Sequence, residues 1–181
     1  MSDVSCIAYE TTICQKTKDN LIEEEIKERI AAGNRASFAN QKIPQSKLTS
    51  KKTKIKLYKA VVRPVVVYGS ECWVLTENIK QRLLVFERKI LRRLFGPTQK
   101  ANGEWRLKTN EEFEEAINNK NIVRYIKYKR LSWLGYVERM TNERVAKTIY
   151  KWKPYAARPK GRPRVRWEDD ERNDLRKMGG E

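Results

Sequence analysis

Apolar residues recur at three- and four-residue intervals through most of this 181-residue chain. That period is typical of amphipathic α-helices. The clearest run lies between Thr76, which can cap a helix, and the pair Gly96 and Pro97, which can end one. Its predicted inward-facing residues are Ile79, Leu83, Phe86, Ile90 and Leu94. The pattern therefore predicts a mainly α fold.

Two further helices are predicted ahead of this run. Asn20 with Glu23 resembles a capping box, and isoleucines follow at four-residue spacing, which predicts a helix from about residue 20 to 40. A second helix should begin near Ser50 and bury Ile55, Tyr58, Val62 and Val65. Pro64 lies inside that pattern, so a kink or a break is expected there. The stretch VVVYGSECWVL is β-branched and aromatic, and a short strand remains an alternative for it.

Helical signals continue after residue 100. Asn102 and Gly103 indicate a turn, and Thr109 with Glu112 indicates a capping box before the acidic helix EEFEEAI. From Asn121 a long helix is predicted. Its inner side should carry Ile122, Ile126, Trp133, Val137 and Met140, and we interpret the tryptophan as a core residue rather than a base-stacking platform.

The rest of the chain is predicted to be a short helix, an irregular tract and a terminal helix. The short helix surrounds Val145, Ile149 and Trp152 and should end before Pro154. Residues 154–166 contain three prolines and no aliphatic run, so this tract should be extended and mobile. We therefore divide the chain into a poorly ordered lead (1–19), a helical bundle (20–96), a second helical region (97–153), a basic extended linker (154–166) and a short terminal helix (167–181).

The charge of the chain is strongly basic and unevenly placed. Lys and Arg number 40 against 23 Asp and Glu, a net charge of +17. Residues 51–108 carry 15 basic against 4 acidic residues, and residues 120–166 carry 15 against 2. Blocks with so few acidic partners repel themselves, which favours a polyanion-binding surface over ordinary solvated helix faces. RNA, DNA or both are the predicted partners.

Several other classes of function are disfavoured. The three cysteines form no CxxC pair and histidine is absent, so we expect no zinc site, no disulfide framework and no cofactor. The first 20 residues do not resemble a signal peptide, and the longest apolar run, residues 65–68, is too short to span a bilayer. We predict no membrane partner and no small-molecule substrate. An intracellular location is expected, and the basic clusters favour the nucleus.

Several strings, taken in order, resemble the carboxyl-terminal part of reverse transcriptases of non-LTR retrotransposons. They are KTKIKLYKAVVRPVVVYGSECWVLT, FERKILRRLFG, NGEWRLKTNEEF, RLSWLGYVERM, and GRPRVRW followed by Asp174 and Leu175. EEEIKERIAAGNRASF is similar to the segment that follows the polymerase palm. The resemblance implies a thumb over about residues 20–96, which grips duplex backbone, and a post-thumb region that binds RNA or target DNA. Tyr136 departs from the family, in which histidine is common there, and puts any specific role of that histidine in doubt.

Basic side chains in these regions are the candidate phosphate contacts. They are Lys52, Lys56, Lys59, Arg82, Lys89, Arg92, Arg93, Arg124, Lys127, Arg130, Lys160, Arg162, Arg164 and Arg166. PKGRP at residues 159–163 also matches the core of an AT-hook, in which Arg162 would enter the minor groove of A·T-rich DNA. The alternative interpretation of this tract is a generic basic linker.

Catalysis is not expected from this chain. In the family, paired aspartates in an aromatic-x-Asp-Asp turn hold two magnesium ions, and they lie upstream of every matched string. Trp167 to Asp170 mimic that motif superficially, but no strands flank them. We interpret them as the acidic first turn of the terminal helix, with Arg176 and Lys177 near its end.

Four hypotheses of function remain open. The chain is a nucleic-acid-binding remnant without polymerase activity, or a fragment of an RNA-directed DNA polymerase that needs its palm. The third hypothesis is a non-functional decay product. The fourth is a helical protein-interaction module that would bind its partner through EEFEEAI and the acidic end of the chain, and it leaves the excess of basic residues at 120–166 unexplained.

Overall fold

The computed structural model describes residues 20–40, 46, 49–99, 102–151 and 167–179. These residues are mainly helical, which confirms the predicted fold class. A π-helical turn (Tyr58–Val62) and a 3₁₀ turn (Ser70–Cys72) accompany the α-helices. The helices are α1 (Asn20–Ala39), α2 (Lys51–Leu57), α3 (Arg63–Val66), α4 (Glu77–Phe95), α5 (Asn110–Ala116), α6 (Ile122–Arg139), α7 (Val145–Lys151) and α8 (Trp167–Gly179). Strands β1 (Thr98–Gln99) and β2 (Trp105–Arg106) pair antiparallel ahead of α5.

The chain forms two compact units, and neither is one continuous stretch of sequence. The first unit contains residues 23–68 and 77–125. The second unit contains residues 69–76, 126–151 and 167–179 together with the described residues of the amino-terminal 22. Elements far apart in sequence therefore share a unit, whereas the predicted segments follow chain order.

The core of the first unit is built on the apolar face of α4. All five of its predicted inward-facing residues are buried, as are Ile26 of α1 and Val66 of α3. Gly33 allows α1 to approach closely, since a Cβ there would lie 2.3 Å from Val66 Cγ2 and 2.9 Å from Phe86 Cζ. Overpacking of this kind is costly because protein interiors are close-packed.

Pro64 does not break the second predicted helix, which continues to Val66. The helix widens into the π turn, where the Arg63 N–H donates to the Tyr58 carbonyl five residues back. A widened turn of this kind accommodates the proline ring, which in a regular α-helix would clash with the carbonyl four residues earlier. The strand alternative for the following residues is wrong. Residues 65 and 66 end α3, and Gly69, with φ of 71°, leads into the 3₁₀ turn.

Local capping signals are confirmed downstream. The Glu112 N–H donates to Thr109 Oγ1 at 3.4 Å, and the Thr109 N–H donates to the Glu112 carboxylate at 2.9 Å, which completes the capping box of α5.

Of the residues predicted for the inner side of α6, Ile122, Ile126 and Val137 are buried. Trp133 and Met140 are half-buried.

The predicted lead (1–19), the linker (154–166) and Trp152 lie outside the described residues. In the part of the chain that the structure describes, no helix combines the length and apolarity needed to cross a membrane.

Candidate nucleic-acid interface

Residues 51–66 form a helical segment, the cationic helix, that carries six basic side chains and no acidic one. Its start is capped because the Thr53 N–H donates to Ser50 Oγ at 3.2 Å. Lys52 and Lys56 lie one turn apart and are exposed, so they share a helix face. The segment itself therefore carries a concentrated positive charge.

The cation cluster consists of Lys59 and Arg63 of the cationic helix together with Lys120. The Arg63 guanidinium lies over the Tyr125 ring, 3.8 Å from its centroid, an arrangement that holds the side chain by a cation–π contact. Burial lowers the pKa of Lys59, and the charges of Arg63 and Lys120 lower it further. Arg63 and Lys120 therefore place positive charge near Lys59, and the nearby Glu87 carboxylate offsets part of it.

A buried hydrogen-bond network positions this cluster. The Tyr58 hydroxyl donates to Glu87 Oε1 at 2.8 Å, and the Ile122 N–H donates to Glu87 Oε2 at 2.9 Å. Burial raises the pKa of Glu87 despite these two donors, and it raises the pKa of Tyr58 well above its ordinary value. The network connects the π turn, α4 and the start of α6 by hydrogen bonds. It therefore positions the elements that carry Lys59, Arg63 and Tyr125.

The predicted basic stripe of α4 is mostly engaged in contacts within the first unit. Arg82 pairs with Glu23 at 3.4 Å, and the Arg93 guanidinium lies 4.2 Å from the centroid of the Phe38 ring. Arg92 is exposed and donates to Asn110 Oδ1 at 3.2 Å. Lys89 is exposed. Lys89 and Arg92 are thus the α4 candidates best placed to meet a phosphate.

The candidates on α6 require a correction. Arg124 is exposed and donates to the Asn119 carbonyl at 3.0 Å. Arg130 is 0% exposed, and its guanidinium donates to Asp170 Oδ2 at 2.7 Å, to Asp174 Oδ2 and to the Trp73 carbonyl at 3.3 Å. Lys127 also pairs with Asp174. Because two carboxylates neutralise Arg130 away from solvent, we remove it and Lys127 from the candidate interface.

Arg130, Asp170 and Asp174 form the buried ion cluster of the second unit. The Leu75 N–H donates to Asp170 Oδ2 at 3.2 Å, so the cluster also holds the segment before α4. Beside it, the Trp133 and Trp167 rings meet edge-on with centroids 5.5 Å apart, which agrees with a packing role for Trp133. The acidic start of α8 is helical and serves this cluster through Asp170.

The AT-hook-like tract lies outside the described residues. The same holds for the remaining predicted cations, which are Lys160, Arg162, Arg164 and Arg166. Within the described ranges, no group of three or more His, Cys, Asp or Glu side chains is arranged to hold a metal ion.

Sequence reasoning missed Arg63, Lys120 and Glu87. Arg63 and Lys120 had a usable signal in their charge, but their proximity to Lys59 depends on the fold. Glu87 had a clearer signal, because a carboxylate next to Phe86 in the apolar stripe of α4 must find donors when it is buried.

The chain is similar to a curated protein over most of its length. Over 158 residues, 87% of the chain, it is 28% identical to a Caenorhabditis elegans protein whose name describes it as uncharacterized and transposon-derived. The shared region is 56% of that protein, so the chain spans about half the length of the relative that it matches. No family model matches the chain. No solved structure matches it either.

Proposed function

We propose that this chain is a nucleic-acid-binding part of a retrotransposon-derived protein, which contacts the backbone of RNA or DNA and does not polymerise nucleotides by itself. The observation that carries this proposal is the cationic helix together with the cation cluster at its end. The transposon-derived relative supports the origin. The ordered series of motifs supports descent from a non-LTR reverse transcriptase.

The electrostatics of the cluster support phosphate binding. A phosphate beside Lys59, Arg63 and Lys120 would add negative charge where Arg63 and Lys120 disfavour the charge of Lys59, and its binding would release condensed counterions. The Tyr125 ring already orients the Arg63 guanidinium, so less side-chain entropy is lost on binding. Lys52 and Lys56 would extend the contact along the same strand. Contacts of this kind read the backbone and carry no base sequence.

The salt dependence of affinity tests the proposal. Wild-type protein should bind duplex DNA and structured RNA with a steep negative slope of log affinity against log salt. The variant K52E/K56E should lose about one unit of slope for each phosphate contact removed. Its matched control is K27E/R35E, which changes the net charge equally at two exposed positions of α1 in the same unit. A wild-type slope near zero, or equal effects of the two variants, would refute the proposed interface.

A second proposal is that the chain works as part of a longer RNA-directed DNA polymerase, with the palm supplied by residues outside it. The order of the matched motifs, all downstream of the family's palm, favours this role. Primer extension with magnesium should give no product with this chain alone. Product should appear only when a palm is joined to it, and extension by the isolated chain would refute both proposals.

A further inference from the structure

A buried carboxyl group, that of Glu87, lies in the part of the first unit that carries the cation cluster. Glu87 is 2% exposed, and its two oxygens accept hydrogen bonds from the Tyr58 hydroxyl and the Ile122 N–H. Tyr58 is next to Lys59 in the π turn, and Ile122 begins α6 two residues after Lys120. Both donors to the buried carboxyl group therefore lie within two residues of a cation of the cluster.

The hydrogen bonds of Glu87 are compatible with both protonation states of its carboxyl group. As a carboxylate, it accepts from both donors. When a proton binds at Oε1, the Tyr58 hydroxyl can rotate and accept the new O–H, because a phenol is both a donor and an acceptor. The Ile122 N–H continues to donate to Oε2. Protonation therefore leaves no buried polar group of this network without a partner.

The charged groups that face Glu87 come from three neighbouring elements. Lys59 belongs to the π turn, Arg63 begins α3, and Glu114 lies on α5. Burial is the largest influence and raises the pKa of Glu87, the Ile122 and Tyr58 hydrogen bonds and the Arg63 charge lower it, and the Glu114 charge raises it. The carboxyl group thus responds to charge placed at the cluster.

The composition of the chain makes such a response measurable. Histidine is absent, so between about pH 5.5 and 7.0 no side chain with an ordinary pKa changes its charge appreciably. Phosphodiester groups also keep their charge in this range. A change of nucleic-acid affinity within this window would therefore report a buried carboxyl group rather than a general loss of surface charge.

We infer that Glu87 couples the binding of a phosphate at the cation cluster to the uptake of one proton from solvent. A phosphate beside Lys59, Arg63 and Lys120 would bring negative charge near the Glu87 carboxylate, and like charges disfavour each other. The proton forms an O–H bond at Oε1 and removes the negative charge. Because linked binding is reciprocal, protonation of Glu87 in turn raises the phosphate affinity. This inference rests on the proposed function and adds its regulation by pH.

Fluorescence anisotropy with a 12-base-pair DNA duplex, at constant ionic strength and from about pH 7.0 to 5.5, tests the inference. The affinity of the wild type should rise about 2- to 30-fold as the pH falls, which is the range that Coulomb's law gives for unit charges about 8 Å apart at dielectric constants of about 80 to 20. E87Q has an uncharged side chain of nearly the same shape. It should bind with equal affinity throughout this range, at least as tightly as the wild type at the lowest pH.

Three control variants separate Glu87 from its neighbours. E114Q removes a carboxylate that raises the pKa of Glu87, so the pH dependence should persist with a slightly lower midpoint. Y58F removes a hydrogen bond to the charged form of Glu87 and should move the midpoint upward. K59R keeps a positive charge that does not titrate and should retain the wild-type pH dependence, which would exclude Lys59 as its source.

The outcomes distinguish this inference from the proposed function. Binding by the wild type that depends on salt but not on pH would overturn the coupling and leave the proposed function standing. The coupling is also wrong if E87Q keeps the wild-type pH dependence or if K59R loses it. Without salt-dependent binding, both are wrong. Circular dichroism melts at each pH show whether the variants are folded. If E87Q is not, Y58F decides the result, and a midpoint that stays in place or moves downward would overturn the coupling.

Discussion

Replacing Arg130 by methionine should destabilise the protein by about 3–5 kcal/mol, the usual cost of removing one partner from a buried ion pair. The structure supports the upper part of that range, because the guanidinium is 0% exposed and serves two carboxylates and a backbone carbonyl. Without it, Asp174 retains the Lys127 ion pair, whereas Asp170 retains the Leu75 N–H. The loss would be a large fraction of a typical stability of about 5–15 kcal/mol.

Urea denaturation followed by circular dichroism and tryptophan fluorescence measures this effect. The control Arg124→Met alters an exposed arginine on the same helix and should change stability by less than about 0.5 kcal/mol. Adding Asp170→Asn to Arg130→Met should recover part of the loss, since position 170 then no longer carries a charge whose ion-pair partner has been removed. A loss below about 1 kcal/mol for Arg130→Met would refute the reasoning. Loss of nucleic-acid affinity at unchanged stability would return Arg130 to the interface.

Three further predictions concern the packing, titration and capping of the first unit and of α6. Gly33→Ala should destabilise by about 1–3 kcal/mol because its Cβ meets Val66 and Phe86. Thermal melts should show Gly135→Ala, whose Cβ approaches only the flexible Arg139 side chain at 3.3 Å, to be neutral or stabilising by up to about 1 kcal/mol. The pKa of Glu87 is raised by burial, so its contribution to stability is full below the ordinary value of 4.5 and declines as the pH rises through the raised pKa. Urea titrations at several pH values should therefore show wild type losing stability relative to Glu87→Gln as the pH rises, and a constant difference would contradict the assignment. Thr109→Ala should cost about 1 kcal/mol through loss of the α5 cap, whereas Thr109→Ser should restore stability, and equal melting temperatures for both would argue against the cap.

Much of the secondary structure was predictable because its causes are local. The bounds of α4 follow from an apolar period and from Gly96 and Pro97, and the cap of α5 involves residues three positions apart. The π turn was not predictable in this way. Whether Pro64 breaks, bends or widens a helix depends on what packs around it, and Tyr58 and Val62 are buried here.

The residues of the candidate interface also differ in whether local sequence or tertiary packing determines their environment. Lys52 and Lys56 were predictable because a run of lysines without acidic neighbours is visible in sequence, and both are exposed. Arg82, Lys127 and Arg130 looked equivalent to them in sequence. Their partners lie 40 to 59 positions away, at Glu23, Asp174 and Asp170, and only folding brings those carboxylates within reach.

The amino-acid sequence by itself determined the mainly helical character, the extents of the long helices and the excess of positive charge, because each depends on spacing and composition. Only the tertiary structure decided which cations stay available to a polyanion and which are neutralised inside the protein. It grouped Lys59 with Arg63 and Lys120, placed Arg130 between two aspartates and left Trp105 exposed on the β1–β2 hairpin. The physical reason is that burial and electrostatic pairing depend on distances in space, which chain position alone does not specify.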